Sequence, residues 1–212
     1  MNRHTKELVV IVFAATLVAT VSSCSRPADP SPQMRSSPSH QSAVAATIRQ
    51  TDSEGRHLPF TTKFPDRWNS SNDGTTYEPC TAVTTAILQE FALDPSSVKD
   101  TAIANHQTAR GCNWTFADNR FGRLSQFLGN GPTLNEYKVS KAPIIRWLPN
   151  IQIASRTIAV GARDEDNCST YLKSGSAVIV TSASIAINPP PIDQLCATAI
   201  AFTEATIDKM PP

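Results

Sequence analysis

From Pro79 to Phe91 the apolar positions Cys80, Val83, Ile87 and Phe91 recur at intervals of three and four, the spacing of one helix face, and Pro79 suits a first helical turn. The pattern predicts a helix over 79–91 that stops near Asp94 and Pro95. The period then changes to two. Cys112, Trp114 and Phe116 alternate with Asn113 and Thr115, which puts the three apolar residues on one face of a strand. A second strand is expected over 121–128, ending at the turn Gly129, Asn130, Gly131. Three short runs rich in β-branched residues, 156–160, 168–172 and 177–181, are separated by turn residues and read as an antiparallel meander. After Pro189, Pro190 and Pro191, Asp193 is placed to cap a helix with the stripe Cys196, Ile200, Thr203, Ile207 and Met210. Residues 51–76 are polar with scattered aromatics (Phe60, Phe64, Trp68) and give an irregular lead-in with room for one short strand. The expected fold is α+β: an antiparallel sheet packed against an early helix and a C-terminal helix.

The amino terminus carries a different pattern. Arg3 and Lys6 precede an apolar run from Leu8 to Val21, followed by Ser22, Ser23 and Cys24. This is the layout of a secretory signal peptide, and the run is shorter than the roughly 20 residues a permanent membrane helix needs. Val21, Ser22, Ser23 and Cys24 resemble a bacterial lipobox, in which the cysteine receives a diacylglycerol and becomes the first mature residue. An ordinary secretory signal ending near an unmodified cysteine is the alternative. Two or more acyl chains anchor stably where one does not. The expectation is a protein held by lipid on Cys24 at the outer face of the bacterial cytoplasmic membrane. Residues 24–50 are rich in Pro, Ser and Ala without apolar period, the composition of a tether. Residues 51–212 remain for a single folded domain.

Cys80, Cys112, Cys168 and Cys196 all fall on the apolar faces of their predicted elements. In an exported chain this is a disulfide framework. Four cysteines allow three connectivities, of which Cys80 with Cys112 and Cys168 with Cys196 is favoured because each bond would pin a helix to a sequence-near strand. A metal or redox site is the rival reading, but no C-x-x-C spacing occurs and no histidine follows His106, so no metal ligands are assigned.

The order of signal peptide, lipobox, Pro/Ser tether, Glu78-Pro79-Cys80 opening a helix, Cys112-Asn113-Trp114 on a strand, a strand-borne Cys168 and Cys196 opening a terminal helix resembles the actinobacterial lipoproteins grouped as domain of unknown function 3558. The resemblance covers residues 76–211 and departs from the family pattern twice. Glu78 stands where the family has Asp, and Ile192 to Leu195 replace a second Asp-Pro, so weaker helix capping is expected. It implies an envelope lipoprotein without catalytic residues.

Composition narrows the chemistry further. Of 212 residues 17% are charged, with 19 Lys and Arg against 18 Asp and Glu. Removing residues 1–23 leaves 17 basic and 17 acidic side chains. A neutral chain offers no field for nucleic acid, which is not expected as a partner. No nucleophile-elbow, zincin or phosphate-loop motif occurs, and no cofactor is implied. His40, His57 and His106 are the histidines beyond the signal, and a Ser-His-Asp site on His57 or His106 is the enzyme reading to weigh against surface histidines. Asp164, Glu165 and Asp166 lack the alternation and glycine of a calcium loop and read as a solvated turn. Asn69, Asn113 and Asn167 begin N-x-Ser/Thr triplets. Trp114 and Phe116 line either a core or a ligand pocket. The leading expectation is a non-catalytic binding module that recognises an envelope protein, a wall polymer or a small ligand. A carrier of lipid or another hydrophobic molecule is the alternative and requires an apolar void between sheet and helices.

Overall fold

The computed structural model describes residues 47–212; the expected signal peptide, Cys24 and most of the expected tether lie outside the described residues. The chain forms helices α1 (Pro79–Ala82), α2 (Thr85–Glu90), α3 (Leu134–Lys141) and α4 (Ile192–Thr206). Its strands are β1 (Lys99–Asp100), β2 (Arg110–Phe116), β3 (Asn119–Asn130), β4 (Arg146–Trp147), β5 (Ile151–Ile153), β6 (Arg156–Asp164), β7 (Asn167–Ser174) and β8 (Ala177–Ile185). All eight strands join one antiparallel sheet in the order β1-β2-β3-β8-β7-β6-β4, with β5 also paired to β6. The β6-β7-β8 meander follows the sequence expectation, and it returns to the β2-β3 hairpin through the β3–β8 pair, Gly122↔Ile185 to Asn130↔Ala177.

The α+β expectation holds, with three local corrections. The early helix is broken: Val83 is extended at φ −79°, ψ 114°, and the Thr84 side chain caps a new helix at Ile87 N–H. The stripe still works, because Cys80 and Val83 are buried while Ile87 and Phe91 pack against the same core cluster. Asp193 does not cap α4. The N-cap is Pro191, which supplies no side-chain bond, and Asp193 sits in the first turn, where its charge meets the positive end of the helix. The lead-in has no regular strand; Thr51 and His57 form an isolated bridge.

Because side chains alternate across a strand, the sheet has two unlike faces. One carries Cys112, Trp114, Leu124, Leu128, Ile158, Leu172, Ile179 and Ala183, all buried. Helix α4 covers it: Phe202 is fully buried 6.0 Å from Trp114 and 5.0 Å from Phe91, ring centre to ring centre. The Trp114 face is therefore filled with side chains, and the core reading of Trp114 is the correct one. The disulfides Cys80–Cys112 and Cys168–Cys196 pin α1 to β2 and β7 to α4. Chain-entropy reasoning for loops of this length gives about 3.6 kcal/mol for each. A polar seam runs under α4. Tyr77 Oη donates to Gln126 Oε1 at 2.6 Å, Gln126 Nε2 donates to Thr181 and Thr206 hydroxyls, and the Thr170 and Thr203 hydroxyls pair at 2.6 Å. Every member is partnered, so the seam fixes the helix register without an unpaired buried group.

Candidate functional site

The Glu78-Pro79-Cys80 start of α1 is the centre of a buried ionic knot. Glu78 Oε1 accepts from Cys80 N–H, so the longer side chain still caps the helix. Its Oε2 also accepts from Arg67 Nη1 at 2.8 Å and Arg110 Nη1 at 2.7 Å. Arg67 Nε donates to Asp100 Oδ2 at 2.9 Å, and its guanidinium lies 4.5 Å from the Trp68 ring. Arg110 finishes its fork on the carbonyls of Asn72, Thr75 and Tyr77. Burial alone would raise the Glu78 carboxyl, but the Arg67 hydrogen bonds and the charges of Arg67 and Arg110 outweigh it and hold the group below the usual carboxylate range. Two arginines face two carboxylates with their directional bonds used up. The knot locks the lead-in onto α1 and β2 and leaves little free valence for a ligand.

The other residues singled out from the sequence are scattered. His57 and His106 are exposed; His106 Nε2 lies 3.2 Å from Asp66 Oδ2, and neither histidine is brought to a hydroxyl among the described residues. Asp164 ends β6, and Glu165 and Asp166 form its turn into β7, exposed at Glu165 and half-buried at Asp166. Among the described residues no cluster of His, Cys, Asp or Glu is arranged to hold a metal ion. Cys80, Cys112, Cys168 and Cys196, the four cysteines of the described residues, are all in disulfides.

The second face of the sheet is covered only at one end. There Leu134 and Tyr137 of α3 and the segment Ile145–Trp147 pack on Tyr171, Val178 and Val180. Gly161 permits this approach, since a Cβ on it would collide with Ile145 and Trp147. The capping box of Thr133 and Glu136 holds the start of α3. Beyond this cover the strands bring small polar side chains into register: Asn113, Ser125, Ser182 and Ser169 form one row, and Thr115, Arg123, Ser184 and Asn167 the next. Ser125 Oγ donates to Asn113 Oδ1 at 2.6 Å and Asn167 Nδ2 to Ser182 Oγ at 2.9 Å. Where the rows meet α3 there is a pocket of about 250 Å³ lined by Phe127, Tyr137, Lys141, Arg163, Asn167 and Ser182, among others. Asn113 and Asn167, noticed in the sequence only as the start of possible glycosylation triplets, belong to this face. The rest of it was missed because alternating Ser, Asn and Thr in a strand signals solvent, and register across four strands is not written in any one of them.

A second concavity, a groove of about 620 Å³, lies on the edge of the covered side. It has an apolar floor of Phe91, Phe116, Ile185 and Leu195 and an acidic rim of Glu90 and Asp118. Among the described residues no helix is long and apolar enough to cross a membrane.

A family model for proteins of unknown function (DUF3558) matches residues 19–209, a span that takes in Val21 to Cys24 as well as all four disulfide cysteines. No curated protein and no solved structure matches the chain.

Proposed function

The chain belongs to the DUF3558 family, and from that premise we propose that it is a binding module of the cell envelope, anchored by lipid on Cys24, that engages its partner through the open face of its sheet. The observation that carries this reading is the one-sided cover. Helix α4 and the two disulfides are spent on filling the Trp114 face, while the rows through Ser125–Ser182 and Arg123–Ser184 lie at the centre of the sheet rather than at its edge, half-buried at the three serines and exposed at Arg123. A solvated second face is common in antiparallel sheets; here it sets Ser, Asn, Thr and Arg side chains in register across four strands of a rigid sheet, and side chains fixed in that way are a precise platform for recognition. The anchor rests on the signal-like segment and the lipobox-like tetrapeptide that the family match includes. The non-catalytic part rests on the sequence, which has a neutral mature charge, few histidines and no nucleophile or phosphate motif.

Neighbouring residues of β8 give the test, since they point to opposite faces. Ser182→Trp on the open face is expected to leave the melting temperature within a few degrees and to remove the partner recovered after formaldehyde cross-linking of intact cells. Ala183→Trp, at a position fully buried under α4, is expected to unfold the domain by overpacking. A folded Ser182→Trp chain that recovers the same partner in the same yield overturns the assignment of the face. For the carrier alternative the relevant place is the groove at Phe91 and Leu195, since the sheet–helix interior is filled.

A further inference from the structure

Resting on the open face as the binding face, we propose that the pocket between α3 and the sheet takes an anionic sugar unit, a hydroxylated ring bearing a carboxylate or a phosphate. The pocket's charged lining is Lys141 and Arg163, both cations, and no carboxylate lines it. Lys141 makes no salt bridge among the described residues, and Arg163 has only a loose, exposed pairing with Asp164 at 3.7 Å. The neutral polar lining is arranged to donate. Ser169 Oγ points its hydrogen bond at Asn167 Oδ1, and Asn167 Nδ2 passes one to Ser182 Oγ, which leaves the Ser182 proton as the outgoing donor of the relay. Burial pushes the Tyr137 and Tyr171 phenols up, Tyr171 to about 12, so both are protonated and uncharged at neutral pH.

Such a wall asks for a ligand rich in acceptors with a net negative charge. A purely apolar ligand would give nothing to the Ser182 proton or to the two cations, of which Lys141 lies 5.8 Å over the Tyr137 ring and Arg163 is largely in solvent. The half-buried rings of Phe127 and Tyr137 add an apolar shelf of the kind that stacks against the C–H face of a sugar ring. The volume of about 250 Å³ falls just below the roughly 300–1,000 Å³ of sites that enclose a drug-sized ligand, so the pocket suits one ring at a time. A longer chain can continue along a second hollow that shares Ile144, Ile145 and Arg163 and adds the cation Arg146 and the carboxylate Asp164, so a neutral or weakly charged next unit fits it better than a second anion. The occupant is thus one unit of a polymer or a single phosphorylated or uronic sugar.

The test is calorimetric titration of the full chain in detergent micelles with glucuronate, glucose 6-phosphate, glucose, inorganic phosphate and a hexaglutamate peptide. At least one anionic sugar is expected to bind, with the tighter of the two naming the acid group, and glucose and phosphate alone are expected to be about tenfold weaker or more. Added salt should weaken the interaction. Lys141→Met and Arg163→Met should each weaken it about fivefold or more, and Ser182→Ala less, with thermal unfolding unchanged. The proposal is overturned if neither anionic sugar binds more tightly than about 10 mM, if glucose binds equally well, or if hexaglutamate outcompetes both sugars. If the sugars fail while Ser182→Trp still abolishes the cellular cross-link, the pocket's ligand is wrong and the open-face reading stands. If Ser182→Trp also has no effect, both fall.

Discussion

Glu78 concentrates the balance of forces in this domain. A buried carboxylate shared by two arginines is stabilising only while the set is complete, because removing one member strands the others in a medium that solvates them poorly. Glu78→Gln is therefore expected to cost about 3–5 kcal/mol, measured by chemical denaturation, whereas Glu78→Asp retains the charge and should cost clearly less. Acid has a related effect. Burial acts to raise the Asp52 carboxyl, but hydrogen bonds from Thr81, Arg56 and the Glu54 and Arg56 amides bring it down to about 2, and Glu78 is lowered in the same sense. A carboxylate with a folded pKa below its unfolded value stabilises the fold above the unfolded value and loses that contribution as pH falls through the folded one. Stability should be level above about pH 5 and drop steeply from there towards pH 2; a domain equally stable at pH 3 and pH 7 contradicts this. Glu78 was visible in the sequence as a helix start. Arg67 and Arg110 were not, since an arginine in a polar stretch and one opening a strand look like surface, and their burial comes from partners 11 to 38 residues away along the chain.

Among the elements, those with a strong period were legible and those held by turns or caps were not. Trp114 and its alternating neighbours announced β2, and the spacing of Cys196, Thr203 and Ile207 announced α4, although Phe202, at the centre of the packing, fell outside the proposed stripe. Helix α3 has no fully buried residue and leaves Val139 76% exposed, so no apolar stripe marked it; its Thr133–Glu136 capping box was the available signal. Strand β5 was missed because its turn into β6 uses Ala154 and Ser155, both at positive φ (47° and 63°), where Asn-Gly would have declared a hairpin. These two residues hold a conformation that glycine adopts more readily. Ser155→Gly is expected to stabilise the domain by about 0.5–1 kcal/mol, read as a rise in melting temperature with an unchanged sheet spectrum. A fall would mean that the Ser155 side chain contributes more to the fold than its strained backbone costs.

At the scale of the whole molecule, the fold divides its sheet into a side filled by α4 and an open side, and the proposed anchor at Cys24 sets where that open side would be displayed. Metabolic labelling with a clickable fatty acid should mark the wild-type chain and miss Cys24→Ala, and the variant should leave the membrane fraction. Equal labelling of both chains would remove the anchor from the account while leaving the face untouched. Replacing His57 and His106 together by Ala should leave partner recovery intact; loss of it with folding and attachment unchanged would favour an enzyme. The central claim, that binding occurs on the open sheet face, is tested most directly by a photo-activated cross-linking residue placed in intact cells at Ser184 on that face and, in a second chain, at Glu204 on the solvent side of α4. A specific adduct from Ser184 with none from Glu204 is the predicted result. A specific adduct from Glu204 alone would contradict it.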